Sequence, residues 1–139
     1  MEDKNMKNEL RILKCMKCGA LVEELIPCTC DNCGVKCCGE TMNILTANEA
    51  DGAKEKHVPM VNRLENGSLN VKVGEVAHPM LPEHHICFIA AESQNGLDIH
   101  YLDLSKPAET VFCNCDSNIT AVYEYCNLHG LWKTTDIPK

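Results

Sequence analysis

Seven of the eleven cysteines fall within the first 45 residues of this 139-residue chain. A segment that short buries too little apolar surface to hold a fold alone, so its thiols must organise it through a metal or disulfides. Cys15-Met16-Lys17-Cys18-Gly19 has the form of a metal knuckle. Two thiolates three apart wrap one ion, and the glycine lets the backbone fold beneath the sulfurs. Two pairs could complete the site: Cys37-Cys38, followed by Gly39-Glu40-Thr41-Met42, or Cys30-Asp31-Asn32-Cys33-Gly34, a second CxxCG. Tetrathiolate spacing alone does not separate structural zinc from iron.

The first nine residues are charged and polar, and no later stretch approaches the length of a membrane span. The expectation is a cytoplasmic protein with reduced thiols, which the odd cysteine count favours over a fully paired disulfide framework. Thirteen Lys+Arg against 20 Asp+Glu give a net charge of -7, which excludes a nucleic-acid binder. A small anionic substrate stays open, because the local field in a cleft outweighs net charge.

The domain boundaries expected are a cysteine module over 1–45, a small polar linker over 46–53, and a second domain over 54–139. In the latter, Leu69, Val71 and Val73 alternate with Asn70 and Lys72, the period-two pattern of a half-buried strand. Asn66-Gly67 just before it predicts a type I′ hairpin turn. Further strands are predicted over Ile86–Ala91, Leu97–Tyr101, Thr110–Cys115 and Ile119–Cys126, with turns at 94–96 and 116–118. This spacing predicts an all-β protein whose larger part is an immunoglobulin-like antiparallel β-sandwich.

The second domain also carries scattered metal donors: Glu55-Lys56-His57-Val58-Pro59, His78-Pro79-Met80 with His84, and Cys126-Asn127-Leu128-His129-Gly130-Leu131-Trp132. Four imidazoles and one thiolate suit a redox-active transition metal and are too many for a closed tetrahedral zinc site. Five donors leave one octahedral position for chemistry. A lone strand histidine is more often simply hydrogen-bonded, which is the reading of His100 and His85, with His85 the fallback for His84. Cys87, Cys113 and Cys115 read as small core or surface residues, and Trp132 as a core aromatic flanking the site.

Both halves resemble one family. The Cys15/Cys18 knuckle with Cys37-Cys38-Gly-Glu-x-Met is similar to the desulforedoxin-type iron module that opens desulfoferrodoxins, although its loop is slightly long and Cys28, Cys30 and Cys33 are additions. The three motifs from Lys54 onward resemble the catalytic domain of superoxide reductases, in family order. The resemblance implies a two-iron protein. His57, His78, His84 and His129 would be equatorial ligands and Cys126 the axial ligand of a catalytic non-haem iron. Cys15, Cys18, Cys37 and Cys38 would hold a second iron or zinc, with Cys30/Cys33 the second choice.

The implied reaction is one-electron reduction of superoxide to hydrogen peroxide, with electrons from a rubredoxin-like donor. Lys56 would guide the anion; at ~6 Å and an effective dielectric of ~20, one positive charge is worth roughly 3 kcal/mol. Glu55 resembles the family's carboxylate that occupies the sixth position in the ferric state. Strand alternation puts Glu55 and His57 on one face and Lys56 on the other, so this segment must curl for all three to serve one site. A homodimer is expected from the resemblance. The alternatives are a non-enzymatic iron or zinc protein serving electron transfer or metal binding, and dismutation at the same iron.

Overall fold

The computed structural model describes residues 10–31, 34–49, 57–74, 78–113 and 118–139. It divides into two compact units, Met1–Thr46 and Ala47–Lys139. Among the described residues no helix is long and apolar enough to cross a membrane.

In the first unit, β1 (Ile12–Lys14) pairs with β2 (Leu21–Glu23) on one side and β5 (Asn43–Ile44) on the other. A separate hairpin joins β3 (Lys36–Cys37) to β4 (Glu40–Thr41). The core is small, with Leu13, Cys15 and Met42 buried and Cys37 packed against them. Two turns present the thiols. Gly19 takes φ 82, which lets its N–H reach back to the Cys15 carbonyl at 2.9 Å. Cys38 and Gly39, the two residues between β3 and β4, take φ 54 and 81. Positive φ at both corners is the type I′ signature.

The second unit is a sandwich of two antiparallel sheets. One has the order β10-β7-β6 and the other β12-β11-β8-β9. The strands are β6 (Pro59–Arg63), β7 (Leu69–Val73), β8 (Ile86–Ser93), β9 (Gly96–Tyr101), β10 (Glu109–Phe112), β11 (Ile119–Cys126) and β12 (Gly130–Thr134). This is the immunoglobulin-like arrangement expected from the strand spacing. Its core takes Val71 and Val73 from one sheet, Ile86, Ile89, Ala91 and Val122 from the other, and Phe112 from β10. Each of the larger side chains contributes about 1.5–3 kcal/mol on burial.

Several expectations need correction. The Asn66-Gly67 hairpin is present but is not type I′: Gly67 alone has positive φ, at 89. Gly67 N–H donates to the Leu64 carbonyl at 2.9 Å, and the Asn66 side chain accepts from Ser68 N–H at 2.9 Å. An Asn side chain that bonds its own backbone removes the need for a second left-handed residue. β10 stops at Phe112 rather than 115, and residues 114–117, with Cys115, lie outside the described residues. Within the expected linker, Asn48 bridges to Trp132, donating to the Leu131 carbonyl at 2.9 Å and accepting from Lys133 N–H at 2.8 Å.

Candidate metal centre

Five candidate donors converge at one end of the sandwich because they lie on strand ends and on the segments that connect strands. His57 precedes β6, whose start is held by Gly74 N–H donating to the Val58 carbonyl at 3.1 Å. His78 and His84 lie between β7 and β8. There Leu81 and His84 exchange two backbone hydrogen bonds of 3.0 Å, folding the segment back so that the two imidazoles meet, centroids 4.7 Å apart. Cys126 ends β11, His129 lies in the turn that follows, and Cys126 pairs with Gly130 at the start of β12. Gly130 takes φ 90, a conformation glycine adopts freely.

The ring contacts define the arrangement. His57 neighbours His78 (centroids 5.0 Å apart) and His129 (4.6 Å), while His84 neighbours His78 (4.7 Å) and His129 (5.0 Å). These four contacts close a square in which His57 faces His84 and His78 faces His129. One donor atom from each imidazole and the Cys126 thiol all lie within 4.8 Å of one another. His57 Nε2 and His129 Nδ1 are 3.0 Å apart. Two nitrogens bound at right angles with bonds of ~2.1 Å would also be about 3.0 Å apart. Cys126 Sγ lies 3.7 Å from His78 Nε2 and 3.6 Å from His129 Nδ1, so one sulfur is shared by opposite corners of the square.

The donor electronics suit a cation. His78 is buried, and burial, seconded by the neighbouring imidazoles, lowers its pKa to about 4, so it is neutral at neutral pH. Its Nδ1 is 2.9 Å from the Pro79 carbonyl, which turns Nε2 toward the square. His84 Nε2 is buried with no hydrogen-bond partner among the described residues, which is costly unless a metal takes its lone pair. Burial pushes the Cys126 thiol up, against the opposing pull of the Leu128 and His129 backbone N–H groups. A mixed set of four imidazole nitrogens and one cysteine sulfur fits iron.

A second group in the first unit comprises Cys15, Cys18, Cys37 and Cys38. Cys18 Sγ and Cys37 Sγ are 3.7 Å apart, and Cys37 Sγ and Cys38 Sγ 3.9 Å. The edge of a tetrahedron with metal–sulfur bonds of ~2.3 Å is roughly 3.8 Å. Backbone N–H groups of Cys18 and Lys17 hold Cys15 down at about 6, whereas sharing protons with Cys15 and Cys18 pushes Cys37 up to about 12. Cys30 is exposed and outside this group, Cys33 lies outside the described residues, and Cys28 is disulfide-bonded.

A family model described as desulfoferrodoxin matches residues 49–135. The chain belongs to the desulfoferrodoxin family. It is 41% identical over 128 residues to the desulfoferrodoxin of Nitratidesulfovibrio vulgaris, covering 92% of this chain and 98% of that one. It is 37% identical to the desulfoferrodoxin of Desulfarculus baarsii, with the same coverage. The crystal structure of the superoxide reductase from Treponema pallidum matches with a TM-score of 0.75 and 28% identity, covering 91% of this chain and 98% of the other.

Within this desulfoferrodoxin-family chain, the residues outside the donor set divide clearly. His85 Nδ1 is 2.9 Å from the Leu81 carbonyl, away from the square. His100 stacks on Phe112 (4.2 Å) and bonds Thr110 Oγ1 (2.7 Å), tying β9 to β10. Glu55 and Lys56 lie outside the described residues. Trp132 is more than a flanking aromatic: its ring stacks on His57 (centroids 4.9 Å apart, 19° between planes), and its Nε1 donates to the His129 carbonyl at 3.0 Å.

Asn127 was not singled out from the sequence. Its Oδ1 accepts from His85 N–H (2.8 Å), its Nδ2 donates to the Glu83 carbonyl (3.1 Å), and its N–H donates to the His85 carbonyl (3.1 Å). The one signal available was its position beside Cys126.

Proposed function

We propose that this chain is a superoxide reductase that uses His57, His78, His84, His129 and Cys126 to hold a catalytic iron. The observation that carries this reading is the closed square of imidazoles sharing one buried thiol. Similarity to a protein titled a superoxide reductase supports the substrate. When bound in the ferrous state, iron supplies the single electron that, with two protons, takes superoxide to hydrogen peroxide.

The chain's own residues prepare that chemistry. Neutral imidazoles add no charge, so with Cys126 as the one anionic donor a divalent ion leaves the site cationic, which suits an anionic substrate. Buried aliphatic side chains such as Ile86 and Val73 wall the thiol off from water. Lys56 would supply the further positive charge that draws superoxide in, and Glu55 would supply a carboxylate able to bind the iron. Cys15, Cys18, Cys37 and Cys38 hold a second iron or zinc. A rubredoxin-like protein donates the electron, and the working form is a homodimer.

The test is a stopped-flow assay of the iron-loaded protein that follows peroxide formed per superoxide consumed, with dioxygen monitored. One peroxide per superoxide without oxygen release is expected. Stoichiometric oxygen evolution would replace reduction with dismutation, and no consumption by the ferrous form would end both. Lys56→Ala should slow capture and flatten its dependence on ionic strength; an unchanged rate removes that role.

A further inference from the structure

Sheet pairing places a second cysteine beside the thiol of the metal centre. β8 and β11 run in register from Glu92 and Ala121 to Phe88 and Tyr125, and then the register shifts, so that Cys126 faces Ile86. Cys87 is the extra residue of this bulge, opposite the step from Tyr125 to Cys126. In β8, Ala91 and Ile89 face the sandwich core, while Phe88 points the other way and stacks on Tyr125. Alternation therefore turns Cys87 inward, and the bulge brings Ile86 inward as well. Cys126 belongs to the same core face.

Neither Cys87 nor Cys126 is disulfide-bonded. Cys126 pairs with Ile86, the residue next to Cys87, so the two cysteines are neighbours across the bulge, where two residues of one strand oppose one of the other.

We propose that Cys87 and Cys126 form a reversible disulfide when the catalytic metal is absent, with hydrogen peroxide as oxidant. Cys87 is half-buried and Cys126 fully buried, so peroxide meets Cys87 first. The Cys87 sulfur attacks one peroxide oxygen, the O–O bond breaks, and a sulfenic acid forms with release of water. The Cys126 thiol then attacks the sulfenic sulfur, its proton leaves with the hydroxyl as a second water, and the S–S bond closes. Two thiols are oxidised by two electrons and one peroxide is reduced to two waters. An external dithiol reverses the step by exchange.

The bond would do two things. It would stop oxidation of the metal-binding thiol short of the irreversible sulfinic and sulfonic acids, and it would keep metal out until a reductant is available. Metal bound to Cys126 takes the resolving thiol away, so the loaded protein would be spared this linkage.

The test is peptide mapping by mass spectrometry of the full chain, metal-free and iron-loaded, after reagent hydrogen peroxide. The metal-free sample should yield a Cys87–Cys126 linked peptide pair lighter by two hydrogens, lost on treatment with dithiothreitol; the iron-loaded sample should lack it. Iron uptake at the histidine site should be blocked after oxidation, restored by dithiothreitol, and insensitive to peroxide in Cys87→Ser. The proposal is overturned if the metal-free protein yields Cys87 only as thiol or sulfinic acid, or if iron-loaded and metal-free samples link equally. Because peroxide is added directly, this result is independent of whether the chain reduces superoxide.

Discussion

Asn127 joins the two segments that carry four of the five candidate donors, His78 and His84 on one and Cys126 and His129 on the other. Its side chain spans from the Cys126–His129 turn to Glu83 and His85, either side of His84. Partners that orient ligands typically change metal affinity about 10–100-fold when removed. Asn127→Ala should weaken iron binding by that factor in a chelator competition, while Asn127→Asp, which keeps the acceptor to His85 N–H, should lose less. Equal affinity in all three proteins would remove the clamp. His78 gives a pH dependence. In the unfolded chain its imidazole titrates near the ordinary 6.5, and in the folded chain at about 4. Between those values the unfolded state binds the extra proton. The metal-free protein should therefore keep this stability above about pH 6.5 and lose it as pH falls through 4, by on the order of 3 kcal/mol. Urea unfolding at the two ends of that window measures it; a midpoint that does not move, or that moves equally in His78→Gln, contradicts the assignment. At this scale the grouping of the five candidate ligands follows the motifs, with Cys126 and His129 on one turn. Asn127 and the stacking of Trp132 on His57 were not legible from the sequence, since both depend on which loop folds against which.

The strands differed in how plainly the chain announced them. β7 alternates buried and exposed positions from Leu69 to Val73 and was read directly. β6 and β12 were missed, because Pro59–Arg63 is mostly exposed and Gly130–Thr134 has a single buried residue, Leu131, so neither carries a period of two. The sequence predicts a type I′ turn at Asn66-Gly67, and the structure has one at Cys38-Gly39. A cysteine seldom takes positive φ, and Cys38 does so with its Sγ 3.9 Å from that of Cys37. The β11–β12 turn needs its glycine for conformation alone: Gly130 has φ 90 and nothing within 4 Å of where a Cβ would lie. Gly130→Ala should destabilise the second unit by roughly 1–2 kcal/mol from left-handed strain, and Gly130→Asn by less. Chemical denaturation of the second-unit signal checks this, and an alanine variant as stable as the parent would show that the turn tolerates another conformation.

The two units rest on different forces. The larger has an apolar core drawn from two sheets, whereas the smaller buries Leu13, Cys15 and Met42 around four thiols. Chelation under reducing conditions should therefore unfold the first unit and leave the second folded, read as loss of amide-exchange protection in β1 and β2 with protection kept in β8 and β11. Retained protection in β1 would mean that its core suffices without metal. The cysteines crowd before residue 45, the structure divides between Thr46 and Ala47, and Asn48 lies in the larger unit. The chain also contains a single tryptophan, and it lies flat against one imidazole of the metal square. Its fluorescence is thus an optical gauge of that site: iron beside His57 should quench it by short-range energy and electron transfer, and zinc there should leave it bright.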